Sequence, residues 1–172
     1  SFGLKPDVDL GLMTPGQSLP ELSSRVLTCV SAWHAEAKPS AILVQGDTTT
    51  VLGSAMAAFY AGIPVGHVEA GLRTNNLYSP WPEEGNRRLT GTLAALHFAP
   101  TSTSRDNLLK EGTDAATIYT TGNTVIDALL EVVRKLESPA LKSHFEKQFE
   151  FLDASRRMVL VTGHRRENFG DG

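Results

Sequence analysis

Cysteine is nearly absent: Cys29 stands alone among 172 residues, so no internal disulfide can form. The lone thiol reads as a small buried hydrophobe, and a reducing, cytoplasmic setting follows. No apolar stretch is long enough to cross a bilayer, which argues against a membrane-embedded protein. The N-terminal stretch SFGLKPDVDLGL lacks the basic start and apolar core of a signal peptide. There is no Lys/Arg run and the net charge is -3, so no nucleic-acid partner is expected. Repeats of fixed period and low-complexity tracts are missing too. So are Gly-x-x-x-x-Gly-Lys and Gly-x-Gly-x-x-Gly loops, and metal-ligand pairs at helical spacing. These absences argue against a P-loop enzyme and against a metal centre.

What is there is the composition of a soluble globular protein, 41% hydrophobic and 20% charged, long enough for one domain or one domain and part of another. Short apolar runs alternate with helical patterns. Ser18 and Glu21 make a capping box at the head of a helix over Leu19–Ala37, and Pro39 closes it. Ala41–Gln45 predicts a strand buried on both faces. VLGSAMAAFYAG predicts a helix that is apolar nearly all round and therefore buried. VGHVEA, ALHFA and TIYTT predict further strands. Helices are expected near Glu83–Ala94, around Ser104–Lys110 and over GNTVIDALLEVVRKLE. The stretch 138–155 reads as a linking helix, and Met158–Thr162 as the start of something new. Repeated strand–helix units imply an α/β fold with a doubly wound parallel sheet, whose ligands bind beyond the carboxyl ends of the strands.

Carboxylates stand at those strand ends. Asp47 follows the first strand and reads equally as a helix N-cap or as a functional acid. Glu69 ends the second strand; burial there demands a partner, and an ion pair with Arg73 explains it as well as a function does. In SPWPEEGNRRLT, Pro82 fits the first helical position, and Glu83 and Glu84 suit the positive end of a helix dipole. Arg87 and Arg88 then pair with them one turn on. On pattern alone this segment is a well-made helix start. TGHRREN carries His164, Arg165 and Arg166 after an apolar run, a cluster whose guanidinium geometry matches phosphate oxygens. His34, His67, His97 and His144 read as helix-surface or packing residues.

Taken together, VQGDTTT, PVGHVEAGLRT, YSPWPEEGNRRLTG, HFAPT, TGNTVIDAL and TGHRREN resemble the non-hydrolysing UDP-N-acetylglucosamine 2-epimerase family of bacterial type. They occur in that family's order and span most of the chain from about Lys38 to Phe169. The resemblance implies two Rossmann-like domains in the style of the glycosyltransferase-B fold, with residues 1–150 in the first and 151–172 leading into the second. The chain then resembles a fragment, expected to be inactive alone.

The resemblance also implies a cytoplasmic homodimer that interconverts UDP-GlcNAc and UDP-ManNAc for polysaccharide biosynthesis, without NAD or any other cofactor and without metal. A second UDP-GlcNAc as allosteric activator is expected. The family's catalytic acids fall on Asp47, Glu69 and Glu83, and its leaving-group histidine on His164. Arg73, Arg165 and Arg166 are expected to bind substrate, while Glu83 and Arg165 lie near the regulatory site. The sequence leaves open a hydrolysing epimerase, a glycosyltransferase of the same shape, and a non-catalytic nucleotide-sugar-binding protein.

Overall fold

The computed structural model describes residues 2–153 and 155–161. The chain divides into two compact units, Ser1–Gly122 and Asn123–Gly172.

In the first unit, α1 (Leu19–Ala37) begins on the predicted capping box. Ser18 Oγ accepts from the Glu21 amide at 3.4 Å, and the Ser18 amide donates to Glu21 Oε2 at 2.8 Å. The helix ends because Lys38 turns left-handed (φ 45°), one residue before the proline expected to stop it. Leu22, Val26, Val30 and His34 recur every fourth residue and form the buried face. That face packs on α2 (Thr49–Tyr60), whose small residues let it lie between α1 and the sheet. The fit is tight: a Cβ on Gly53 would stand 2.7 Å from Val26 Cγ1. Each aliphatic side chain buried here stabilises the unit by roughly 1.5–3 kcal/mol.

Four parallel strands follow in order: β1 (Ile42–Gln45), β2 (Val65–Val68), β3 (Leu96–Ala99) and β4 (Ile118–Thr120). Leu43 stands beside Gly66, Val44 beside His67, and His67 beside His97. With α3 (Glu83–Leu93) and α4 (Ser102–Lys110) between them, this is the expected alternation of strand and helix. One sheet face carries Val44, Val65, His67, His97, Ala99 and Ile118, all buried under helices. The expectation that β1 is covered on both faces is corrected. Leu43, on its other face, is 71% exposed, because α2 and α4 pack against the face that carries Val44 and Ile118.

In the second unit, Asn123 Oδ1 caps α5 (Thr124–Leu136) by accepting from the Val125 amide at 3.1 Å. The expected linking helix is α6 (Pro139–Gln148), on and beyond which Phe145 and Phe149 stack. Met158–Val161 form no strand, although the run is apolar. A strand needs a neighbour to take its backbone hydrogen bonds.

Candidate active site

The carboxyl ends of β1 and β2 lie side by side. The Gly46 amide donates to the Val68 carbonyl at 3.1 Å, which carries the ladder one step past the strands. This brings the next residues, Asp47 and Glu69, to adjoining loops. Glu69 has φ 66°, a left-handed backbone that glutamate rarely adopts. Its Oε1 accepts from Gln45 Nε2 at 3.0 Å. Its Oε2 lies against Gly46, 3.9 Å from where a Cβ would stand.

Asp47 is not the helix cap. Thr48 takes that role, its hydroxyl accepting from the Val51 amide at 3.3 Å. The Asp47 carboxylate instead receives Arg87 Nη2 in an ion pair, and the Asp47 carbonyl accepts from Asn86 Nδ2 at 2.9 Å. Both partners come from α3, one turn beyond Glu83.

Glu83 is the first residue of α3, and Pro82 precedes the helix rather than opening it. Among the described residues the Glu83 carboxylate has no hydrogen-bond or ionic partner, and it is half-buried. Glu84 behaves oppositely. It is wholly buried and saturated: Thr74 and Asn75 donate backbone N–H groups at 3.1 and 3.2 Å. Arg88 Nε lies at 3.2 Å and Arg87 Nη1 at 3.4 Å. Burial pushes its carboxyl up, but the Thr74 amide, Arg88, the Asn75 amide and Arg87 together hold it below the ordinary value. The salt-bridge reading of Glu84 thus holds, with two backbone groups added.

The Glu69–Arg73 ion pair, one of the two readings of Glu69, is not formed. Arg73, with its side chain 2% exposed, grips Glu111 with two parallel bonds, Nε to Oε1 at 2.8 Å and Nη2 to Oε2 at 2.7 Å. Hydrogen bonding from Arg73 is the main cause holding the Glu111 carboxyl below its usual range. Glu69 is left to Gln45.

His34, His67 and His97 are buried packing residues, as read from the sequence, and His144 is exposed on α6. His67 does more than fill space. Its Nε2 lies 2.8 Å from the Gly46 carbonyl, which can only accept, so Nε2 carries the proton. Desolvation is the main force lowering its pKa, and the Gly46 bond only partly opposes it. A neutral imidazole therefore props the turn that carries Asp47.

His67, Asn86 and Arg87 were missed as site residues. A signal for the last two existed: α3 reads EEGNRRLTGTL, nearly without apolar residues, so its inward face has to bury polar groups that need partners. His164, Arg165 and Arg166 lie outside the described residues. Among those described, no group of three or more His, Cys, Asp or Glu is arranged to hold a metal ion.

A family model described as UDP-N-acetylglucosamine 2-epimerase matches residues 1–172. The chain belongs to the UDP-N-acetylglucosamine 2-epimerase family.

The family member from Salmonella typhimurium, a UDP-N-acetylglucosamine 2-epimerase, is 56% identical over 172 residues, or 99% of this chain and 46% of that protein. The crystal structure of the UDP-GlcNAc 2-epimerase from Neisseria meningitidis, bound to UDP-GlcNAc, matches with a TM-score of 0.94 at 49% identity. That match covers 97% of this chain and 45% of the other. The Methanocaldococcus jannaschii UDP-GlcNAc 2-epimerase, in complex with UDP-GlcNAc and UDP, gives a TM-score of 0.77 at 34% identity, over 84% of this chain and 39% of the other. This epimerase-family chain thus spans about half the length of the curated relatives it matches.

Proposed function

We propose that the full-length protein interconverts UDP-GlcNAc and UDP-ManNAc by eliminating UDP and adding it back. The C2 proton of the sugar is not activated by a carbonyl, so a base alone is inadequate. In the forward half-reaction a carboxylate takes that proton, the C1–O bond to UDP breaks, and a C1=C2 double bond forms. In the return half, a UDP oxygen bonds to C1 and a proton is delivered to the opposite face of C2. Two faces call for more than one acid or base, and Asp47, Glu69 and Glu83 supply three carboxylates.

One observation carries the reading. Asp47 and Glu69 leave adjoining strand ends, and α3 fastens to Asp47 through the turn that follows Glu83. Glu83, with no partner among the described residues, is the carboxylate freest to exchange a proton; Asp47 and Glu69 have their directions fixed by neighbours. The sugar nucleotides bound by the Neisseria and Methanocaldococcus relatives fit such a site. His164 stabilises the departing diphosphate in this scheme, with Arg165 and Arg166 on the phosphates. Arg73, tied to Glu111, serves the substrate by holding its loop. Residues 1–150 belong to the first domain and 151–172 lead into the second. A cytoplasmic homodimer with a second UDP-GlcNAc as activator, and a 172-residue chain inactive alone, complete the proposal.

The test is incubation of the full-length protein with UDP-GlcNAc in heavy water. Deuterium at C2 of both epimers, lost in Glu83→Gln, is the expected result. No label in either epimer refutes the elimination scheme. Free sugar in place of a second nucleotide sugar marks a hydrolysing epimerase instead.

A further inference from the structure

We infer that Arg87 is a positioning residue for the reaction, fixing the direction of the Asp47 carboxylate by clamping it to the buried Glu84. The inference rests on the reading of Asp47 as an acid or base at the sugar C2.

Glu84 is the fixed point. Two backbone amides and two guanidinium groups hold it, and no part of it reaches solvent. Arg87 reaches from this anchor to Asp47, one Nη on each carboxylate, with its own side chain 12% exposed. The preceding residue, Asn86, holds the Asp47 main-chain carbonyl. Successive residues of α3 therefore fix both the backbone and the side chain of Asp47. The same helix opens with Glu83, so the clamp also sets Asp47 in register with a second proposed acid.

The chemistry asks for arginine. A guanidinium is a planar fork that can serve two carboxylates in fixed directions, whereas an ammonium is a point charge on a flexible stem. Without the fork, the Asp47 carboxylate is free to turn about its side-chain bonds. A misplacement near 1 Å at a reacting group costs about a hundredfold in rate.

The experiment compares Arg87→Lys, Arg87→Ala and Asp47→Asn in the full-length protein, following epimer formation and C2 deuterium uptake, with a thermal melt of each variant. Arg87→Lys is expected to lose about a hundredfold in kcat with KM little changed. Arg87→Ala is expected to regain part of its rate when guanidinium ion is added at low, non-denaturing concentration. Asp47→Asn is expected to lose C2 exchange. If Asp47→Asn exchanges at the native rate, the reading of the site falls and the inference with it. If Asp47→Asn is silent but Arg87→Lys keeps native kcat, or loses only in KM, the inference alone is overturned. A folded Arg87→Ala whose rate guanidinium does not raise overturns it as well. Should Arg87→Ala fail to fold, kcat and KM of Arg87→Lys decide.

Discussion

Replacing Glu84 with glutamine changes one oxygen to an NH2 group and almost nothing in shape. Three donors point at the native carboxylate, Thr74 N at Oε2 and Asn75 N and Arg88 Nε at Oε1, and the Arg87 guanidinium pairs with Oε2 by charge at 3.4 Å. Whichever side the new amide nitrogen takes, its N–H groups face a backbone N–H and a guanidinium. Hydrogen bonds to a charged group contribute about 1.5–3 kcal/mol each, and breaking a buried ion pair costs about 3–5 kcal/mol. Arg88 is partly in water and its share is smaller. A net loss of about 3 kcal/mol is a large part of a total stability of about 5–15 kcal/mol. With a urea dependence of about 1–3 kcal/mol per molar, the unfolding midpoint at neutral pH falls by about 1–3 M.

The pH dependence has a definite sign. The folded Glu84 carboxyl lies below its usual 4.5. Its stabilisation is therefore complete above that value and is lost as pH falls through the lower, folded one. Urea titrations of native and Glu84→Gln protein should converge in acid. A midpoint unmoved at neutral pH, or a difference that does not shrink in acid, refutes the account of Glu84 as the anchor.

His67 and His97, both depressed first by burial, should stay neutral as pH falls through the ordinary histidine value of 6.5. Below that value the unfolded chain takes up protons that the fold excludes, so stability declines until the folded values are reached. Imidazole proton shifts followed by NMR would show a midpoint at or above 6.5 if this were wrong. Gly71→Ala should destabilise by about 3 kcal/mol or more, from strain and overpacking together. The backbone there has φ 85°, and a Cβ would collide with the Ser104 carbonyl and stand 3.0 Å from Leu108 Cγ. Native-like urea melts for that variant would contradict the packing of the Gly71 loop against α4.

Features written in local chemistry are legible in the sequence. The bounds of α1 follow from the Ser18/Glu21 capping box and from Pro39, all within one segment. The buried character of α2 came from its small residues. Features that depend on distant partners are not. Nothing near Arg73 announces Glu111, thirty-eight residues on. Glu84 has the expected arginines at helical spacing, yet the backbone amides that saturate it carry no signature in residue type. Asp47 reads equally as a cap and as a functional acid, and Thr48, one position later, competes for the cap and takes it. The apolar run from Met158 reads as the start of something new, yet hydrophobicity alone does not make a strand, and Met158–Val161 form none.

The left-handed backbone at Glu69 sets a trade-off at that one position. Glycine or asparagine would relieve a cost of about 1–3 kcal/mol that any larger side chain bears there. A redesign guided only by thermostability would therefore discard the carboxylate and gain from it. Folding and the proposed chemistry pull in opposite directions at this residue, and a ranking by melting temperature would score the loss of the acid as an improvement.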